Sequence, residues 1–364
     1  GTEISFEIHA ALKNEKWIEL IGAAAGGTNH AHFLFEKVFE VDHVAEPTSL
    51  PQLIDICIRE RVRFILPAHD DAIVALARHA AEIPATIVTS DHETCEISRS
   101  KSKTYEALRD IVRTPRVYAA DQVDEFPVFA KPDRGQGSAD TRLIRNAGDL
   151  ETALVEVPQC LISEYLPGEE YTVDCFSDRD GGVLFAGARM RRRTRNGIAV
   201  NTICLDLPEA FDLAKKIQGR ISFRGAWFFQ VKRARDGTLA ILETAPRIAG
   251  SMAAHRVRGV NFALLGLYEA MRVPVQVCPL NIDVEMDRAL TNRYKHNVDF
   301  THVFVDLDDT LILKGHLNVE LTAFLFRCAT AGKPVVLITR HADDVTVTLS
   351  KYRIAQLFDQ VVHL

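Results

Sequence analysis

The sequence predicts a multidomain protein of mixed class, α/β at both ends and α+β between them. Three observations carry that reading. Short apolar strands alternate with amphipathic helices over residues 1–92, hairpin-like strands fill 93–275, and strand–helix alternation returns after 301. A length of 364 residues holds two or three such domains.

The elements follow in order. GTEISFEIHAALKN opens a helix with Thr2 as its N-cap. WIELIGAAAG, FEVDHVAEP, RFILPAH and ATIVTS read as strands of a parallel sheet, with SLPQLIDICIRERV and DDAIVALARHAAEI as helices between them. From 93 to 275, FPVFAKP, TRLIRN, QCLISEYL, EYTVDCFS and GVLFAGARMR are strands. WFFQVKRARDGTLAILETAPR is a hairpin that turns at Asp236-Gly237. Residues 276–300 are polar and read as a connector. HVFVDLDDT and PVVLITRHADD then begin two βα units in 301–364. The chain starts on a helix with no strand before it and stops on VVHL, a strand-like end, so both termini read as trimmed.

A net charge of −6 with no basic tract argues against a nucleic-acid partner. No run of about eighteen apolar residues is present, which argues against a membrane span. Seven cysteines (57, 95, 160, 175, 204, 278, 328) form no CxxC pair, so they read as reduced core thiols and the expected location is the cytoplasm. GAAAGGTNHAHF lacks the GxGxxG spacing of a dinucleotide site, and His30 and His32 read as loop histidines rather than metal ligands. In LPAHDD, His69 and Asp70 either face a cleft or begin a helix capped by Asp70 or Asp71.

Three stretches of the middle region point to a nucleotide site. In VFAKPDRGQGSADT a strand delivers Lys131 just before a turn bearing Gly135, Gly137 and Ser138, whose N–H groups suit phosphate oxygens. In CLISEYLPGEEYTVD, Glu164 with the Tyr165–Leu166 backbone suits an adenine edge, and Glu169 or Glu170 a ribose. In the 227–247 hairpin, facing strands place Gln230 and Glu243 near each other as oxygen ligands suited to Mg²⁺, with Arg247 beyond them to offset phosphoryl charge.

The order of these pieces resembles the ATP-grasp superfamily, as in the carbamoyl phosphate synthetase large subunit and D-alanine–D-alanine ligase. The likeness covers about residues 1–275 and implies a pre-ATP-grasp parallel sheet followed by two ATP-grasp subdomains. By it, Lys101 and Lys131 contact phosphates, with Lys103 a weaker alternative to Lys101. Glu164, Tyr165 and Leu166 read adenine, and Glu170 holds ribose. Gln230 and Glu243 bind metal, Arg247 is catalytic, and Arg189 and Arg191 face phosphates or an anionic substrate unless that strand is merely solvated. The family's E-x-N reads Glu243-Thr244-Ala245, so an amide ligand is missing, and Asp140 stands where a further Gly is common.

FVDLDDTLI and VVLITRH resemble the haloacid dehalogenase superfamily, implying a partial Rossmann-like domain in which Asp306 accepts phosphate, Asp308 is acid/base and Thr339 holds the phosphoryl group. Asp306 and Asp308 then also ligate metal, and Asp309 reads as an N-cap. That family's lysine and acidic pair have no good match before Leu364.

The two likenesses together imply an ATP-dependent ligase joining a carboxylate to an amine through an acyl phosphate, fused to a phosphatase-like domain. The cofactors implied are ATP and Mg²⁺, with Mn²⁺ as a substitute; the partners are small-molecule carboxylates and amines, and a homodimer fits the family. The alternatives are an ATP-grasp kinase, a nucleotide-binding regulatory protein without catalysis, and a phosphatase whose ATP-grasp part only recognises substrate.

Overall fold

The computed structural model describes residues 2–135, 140–157, 160–195, 197–289 and 298–364. They fall into two compact units, Gly1–Arg293 and Tyr294–Leu364.

The first unit opens with helix Glu3–Leu12. Thr2 caps it reciprocally: its hydroxyl accepts from the Ser5 N–H, and its own N–H donates to Ser5 Oγ. Among the described residues, the expected amino-terminal parallel sheet is two separate pairs, Ile21–Ala25 with Lys37–Val41 and Phe64–Ile65 with Thr86–Ile87. Helices Ser49–Arg59 and Asp70–Arg78 lie between them in sequence. His69, not Asp70 or Asp71, caps the second helix; its Nδ1 accepts from the Asp71 N–H at 3.3 Å.

Four strands of the middle region form an antiparallel sheet in the order Val117–Tyr118, Leu161–Glu164, Val128–Lys131, Arg142–Ile144. Six more form a larger antiparallel sheet in the order Leu239–Ala245, Gly225–Arg233, Glu170–Ser177, Val183–Arg195, Ile198–Leu205, Glu285–Asp287. One face of this sheet buries Trp227, stacked on Phe223 at 4.2 Å, with its indole N–H donated to Ser177 Oγ. The indole N–H thus has the partner that burial requires.

Another core joins Ile8 and Leu12 of the first helix to Phe176, Phe228, Val260 and Phe262. Each such side chain stabilises the fold by about 1.5–3 kcal/mol relative to exposure. Residues 1–92 and 93–275 therefore share a core. The segment expected to be a connector carries strand Glu285–Asp287, paired to Asn201–Ile203. Main-chain bonds hold it there, continued on either side by the Cys204 N–H to the Val284 carbonyl and the Arg288 N–H to the Val200 carbonyl, and its acids meet Arg192 and Arg193 of the strand beyond at the surface. No described helix is long and apolar enough to cross a membrane, and the seven cysteines are free thiols.

The second unit has a parallel sheet ordered Val303–Val305, Val335–Thr339, Gln360–His363, with helices Val319–Thr330 and Val345–Lys351. The expected helix start at Asp309 is corrected. Asp309 has φ +55° in a turn, and a short hairpin, Ile312–Leu313 with His316–Leu317, follows it. Asp tolerates the left-handed region better than most residues, which is why it serves there rather than as a cap.

Candidate functional site

A cleft of ≈ 450 Å³ in the first unit is lined by Lys101, Gly135, Gln230, Glu243 and Arg247, among others. A larger open depression of ≈ 1470 Å³, lined by Phe64, His92, Arg224 and Val273, contains none of the candidate site residues of the sequence analysis, so the chemistry is sought in the smaller cleft.

Lys131 ends its strand with the side chain only 6% exposed. Its ammonium donates to the Tyr105 hydroxyl at 2.7 Å, and Tyr105 donates to the Leu242 carbonyl at 2.9 Å. That carbonyl is free because the register of the two hairpin strands shifts between Gln230 and Val231, leaving Leu242 unpaired as a bulge. Burial, and then the Lys101 charge, push the Lys131 ammonium down to about 8. Sequence reasoning missed Tyr105, which nothing in its local pattern distinguishes from a core aromatic.

Lys101 begins helix Lys101–Leu108 behind the Ser100 cap. Asp133 accepts from the Ser102 N–H and the Ser100 hydroxyl, both at 2.7 Å, and so stitches the stretch after Lys131 to the helix start beside Lys101. Burial would raise the Asp133 carboxyl, but these bonds outweigh it and hold it low. Lys101 Nζ lies 4.0 Å from Glu243, whereas Lys103 is half-exposed and pairs with Glu96. Gly135 lines the cleft; Gly137 and Ser138 lie outside the described residues. Asp140, where a glycine was noted as common, has φ +54°.

Gln230 and Glu243 are direct cross-strand partners. Gln230 Oε1 accepts from Arg191 at 3.1 Å; Arg191 also pairs with Glu170 and donates to the Gly197 carbonyl. Arg191 thus joins the predicted ribose and metal positions. The solvated-strand reading instead fits Arg192 and Arg193, exposed by 53% and 59%. Two oxygen donors in register fit a Mg²⁺ that takes its other ligands from phosphates and water. Thr244 Oγ1 is buried without a hydrogen-bond partner among the described residues, and Ala245 is buried where the family amide would stand. No cluster of three His, Cys, Asp or Glu exists among the described residues, His30 and His32 included.

Arg247 packs over the Phe228 ring and is held by Asp70 at 2.5 and 3.1 Å. Burial would raise the Asp70 carboxyl, but Arg247 and then Arg99 bring it below its ordinary range. Arg189 is a correction. It is 1% exposed, its Nε and Nη2 are given to Asp174 at 2.5 and 2.8 Å, and its Nη1 to Ser251. It braces the sheet, shut off from solvent, with each of its three nitrogens donating to a partner. Glu164 is also committed, to Arg113 at 2.9 Å and to the Arg116 N–H. Leu166 is buried with Ala234 and Ala240, and Tyr165 is half-buried, so it is their backbone that remains for an adenine edge.

In the second unit, Asp308 and Thr339 meet through a residue the sequence reading passed over. His341 Nδ1 lies 2.9 and 3.0 Å from the Asp308 carboxylate, Nε2 is 2.8 Å from Thr348 Oγ1, and its N–H donates to Thr339 Oγ1. A carboxylate can only accept, so Nδ1 carries the proton of the bond to Asp308. Asp306, one strand-end step earlier, is exposed, and Thr339 is 2% exposed.

Residues 156–289 match the family described as "ATP-grasp in the biosynthetic pathway with Ter operon". A D-alanine–D-alanine ligase of Fusobacterium nucleatum is 30% identical over 90 residues, which is 24% of this chain and 31% of the ligase. The match thus spans under a third of that relative's length. The L-amino acid ligase of Bacillus licheniformis superposes with a TM-score of 0.61 at 19% identity, over 76% of this chain and 73% of that one. The biotin carboxylase domain dimer of Hydrogenobacter thermophilus 2-oxoglutarate carboxylase, in complex with MgADP, ADP and bicarbonate, gives 0.63 at 18%, over 76% and 69%. From these likenesses and the family match over 156–289, the chain carries the ATP-grasp fold.

Proposed function

We propose that the chain is an ATP-dependent ligase that joins a carboxylate to an amine through an acyl phosphate, with ATP and Mg²⁺ bound in the ≈ 450 Å³ cleft. The observation that carries this reading is the convergence, in that one cleft, of the Gln230–Glu243 oxygen pair with Lys101 and Arg247. Lys131 and Lys101 hold phosphate oxygens, Gly135 offers backbone to them, and Glu170 takes the ribose once Arg191 turns toward phosphate. The Tyr165–Leu166 backbone reads adenine. Gln230 and Glu243 would hold Mg²⁺, which when bound would supply charge neutralisation of the phosphates. A substrate carboxylate oxygen attacks the γ-phosphorus and ADP leaves; the amine nitrogen then attacks the acyl carbon, phosphate leaves, and the amine gives up a proton. Arg247, fixed by Asp70, offsets charge on the phosphoryl group in transfer. The test is MgATP-dependent ADP release over pools of carboxylates and amines. Release with amide product, reduced at least about 100-fold in Glu243→Ala, is the expected result. Phosphorylated acceptor without amide would make the enzyme a kinase, and MgATP binding without turnover would leave a regulatory protein.

A second reading concerns the other unit. Asp308 pinned by His341 beside Thr339, with Asp306 open at the strand end, favours phosphoryl transfer to Asp306. The Mg²⁺-dependent hydrolysis of p-nitrophenyl phosphate by the intact chain is expected, and its loss in Asp306→Asn. No hydrolysis above background sinks this reading.

A further inference from the structure

Three elements of the first unit meet at one buried side chain that the scheme above does not use. Lys101 and Tyr105 stand four residues apart on helix Lys101–Leu108 and so share a face. Through that face Lys101 comes within 4.0 Å of Glu243, while the Tyr105 hydroxyl accepts from the Lys131 ammonium and donates to the Leu242 carbonyl. Lys131 belongs to the four-stranded sheet and Leu242 to the six-stranded one, so the hydroxyl bridges the two sheets. The Leu242 carbonyl is available through the bulge that also sets Glu243 opposite Gln230. Tyr105 is 4% exposed, and its ring belongs to the core that holds Leu108, Val173 and Trp227. Lys101 and Lys232 repel the Lys131 charge and Glu243 and Glu170 attract it, while Glu243 and Asp133 face the tyrosine. Among the described residues the tyrosine is the ammonium's one hydrogen-bond acceptor.

We propose that Tyr105 is a positioning residue of the nucleotide site, which holds Lys131 of one sheet in step with Glu243 of the other so that the phosphate grip and the metal grip on one nucleotide are set together. A phenol suits the place because its oxygen accepts one bond and donates the next, and a buried, charge-assisted bond keeps its geometry. The inference rests on the ligase reading, which gives Lys131 and Glu243 their roles.

The test is a set of double-mutant cycles read by calorimetric titration of MgATP into the intact chain. Tyr105→Phe keeps the ring and removes only the hydroxyl. It is expected to weaken MgATP binding about tenfold, as loss of a bond to a charged group implies. In the Lys131→Ala and Glu243→Ala backgrounds the same change is expected to add about threefold or less, because one of the two grips it aligns is already gone. Affinity in Tyr105→Phe is also expected to fall with rising pH from a lower pH than in the wild type, since the ammonium has lost its acceptor. A tyrosine that serves packing alone lowers the denaturation midpoint, adds its full effect in both backgrounds and leaves the pH profile in place; that result overturns the proposal. Should Tyr105→Phe fail to fold, the ring NMR resonance of Tyr105 in the wild-type protein reads the same contact. It is expected to shift when MgATP engages the Lys131 ammonium and to stay still in Lys131→Ala, and no shift in the wild type overturns the proposal. If the wild type binds no MgATP, the ligase reading fails and takes the inference with it; if it binds and Tyr105→Phe binds equally well, the inference alone falls.

Discussion

Asp174→Ala is expected to lower the stability of the first unit by about 3–5 kcal/mol, because it leaves a buried guanidinium without its counter-charge. Asp174 is fully buried and accepts two bonds from Arg189, itself 1% exposed. His255 Nε2, 3.6 Å from Asp174, does not share that duty at neutral pH, since burial pushes its imidazole down to about 4. For a domain of this size the loss corresponds to a fall in Tm of about 10 °C. A chemical denaturation series reads it as a lower midpoint at unchanged slope. The pair Asp174→Leu with Arg189→Met, which removes both charges, is expected to recover most of the loss. A drop below about 1 kcal/mol in Asp174→Ala would mean that water reaches Arg189 and that the pair is not the brace described.

Lys131→Ala is expected to weaken MgATP binding by about 10- to 100-fold, the effect of removing one charge-assisted contact from a desolvated site. The pH dependence separates this lysine from a merely structural one. Its folded pKa, about 8, lies below the ordinary 10.5 because burial and Lys101 disfavour the charged form. Phosphate favours that form, so nucleotide binding takes up a proton near pH 8 and above, and affinity falls as pH rises through that range. Calorimetric titration in buffers of different ionisation enthalpy shows the uptake directly, and Lys131→Ala is expected to abolish it. For the ligand-free protein the sign is opposite to that of a salt-bridged lysine. Between about pH 8 and 10.5 the unfolded chain binds the extra proton, so this group's contribution to stability rises with pH. Equal affinity at pH 7 and 9.5 would remove Lys131 from the phosphate site.

Much of the architecture was legible in the sequence because local signals and tertiary context agree. Alternating strands over 161–177 and 225–245, with Asp236-Gly237 at φ +80° for the glycine, needed no distant information. The turn alone would set Gln230 opposite Leu242; the bulge at Leu242, which the sequence pattern does not show, is what brings Glu243 opposite Gln230. What was not legible depends on partners far away in the chain. The burial of Arg189 is decided by Asp174 on the neighbouring strand, and an arginine in GARMRRR reads as surface without it. EMD has no apolar alternation, yet Glu285–Asp287 is a strand because its main chain pairs with Asn201–Ile203, far away in the chain, with surface ion pairs to Arg192 and Arg193 beside it. Asp308 and Thr339 were found by spacing, whereas His341, which joins them, sits in a polar loop with no pattern of its own.

The short strand Glu285–Asp287 has a further role as an edge guard. It is three residues long and acidic at both ends, and it covers the outer rim of Ile198–Leu205, which is longer and carries Ile, Ala, Val and Leu. Edge strands that are brief and charged resist adding a strand from another molecule, while long apolar ones invite it. A chain ended at residue 275, where the composition first suggested a boundary, would strip that guard and present the rim of the remaining five strands to its neighbours. In this protein the stretch that reads as mere linker is what keeps the sheet to itself.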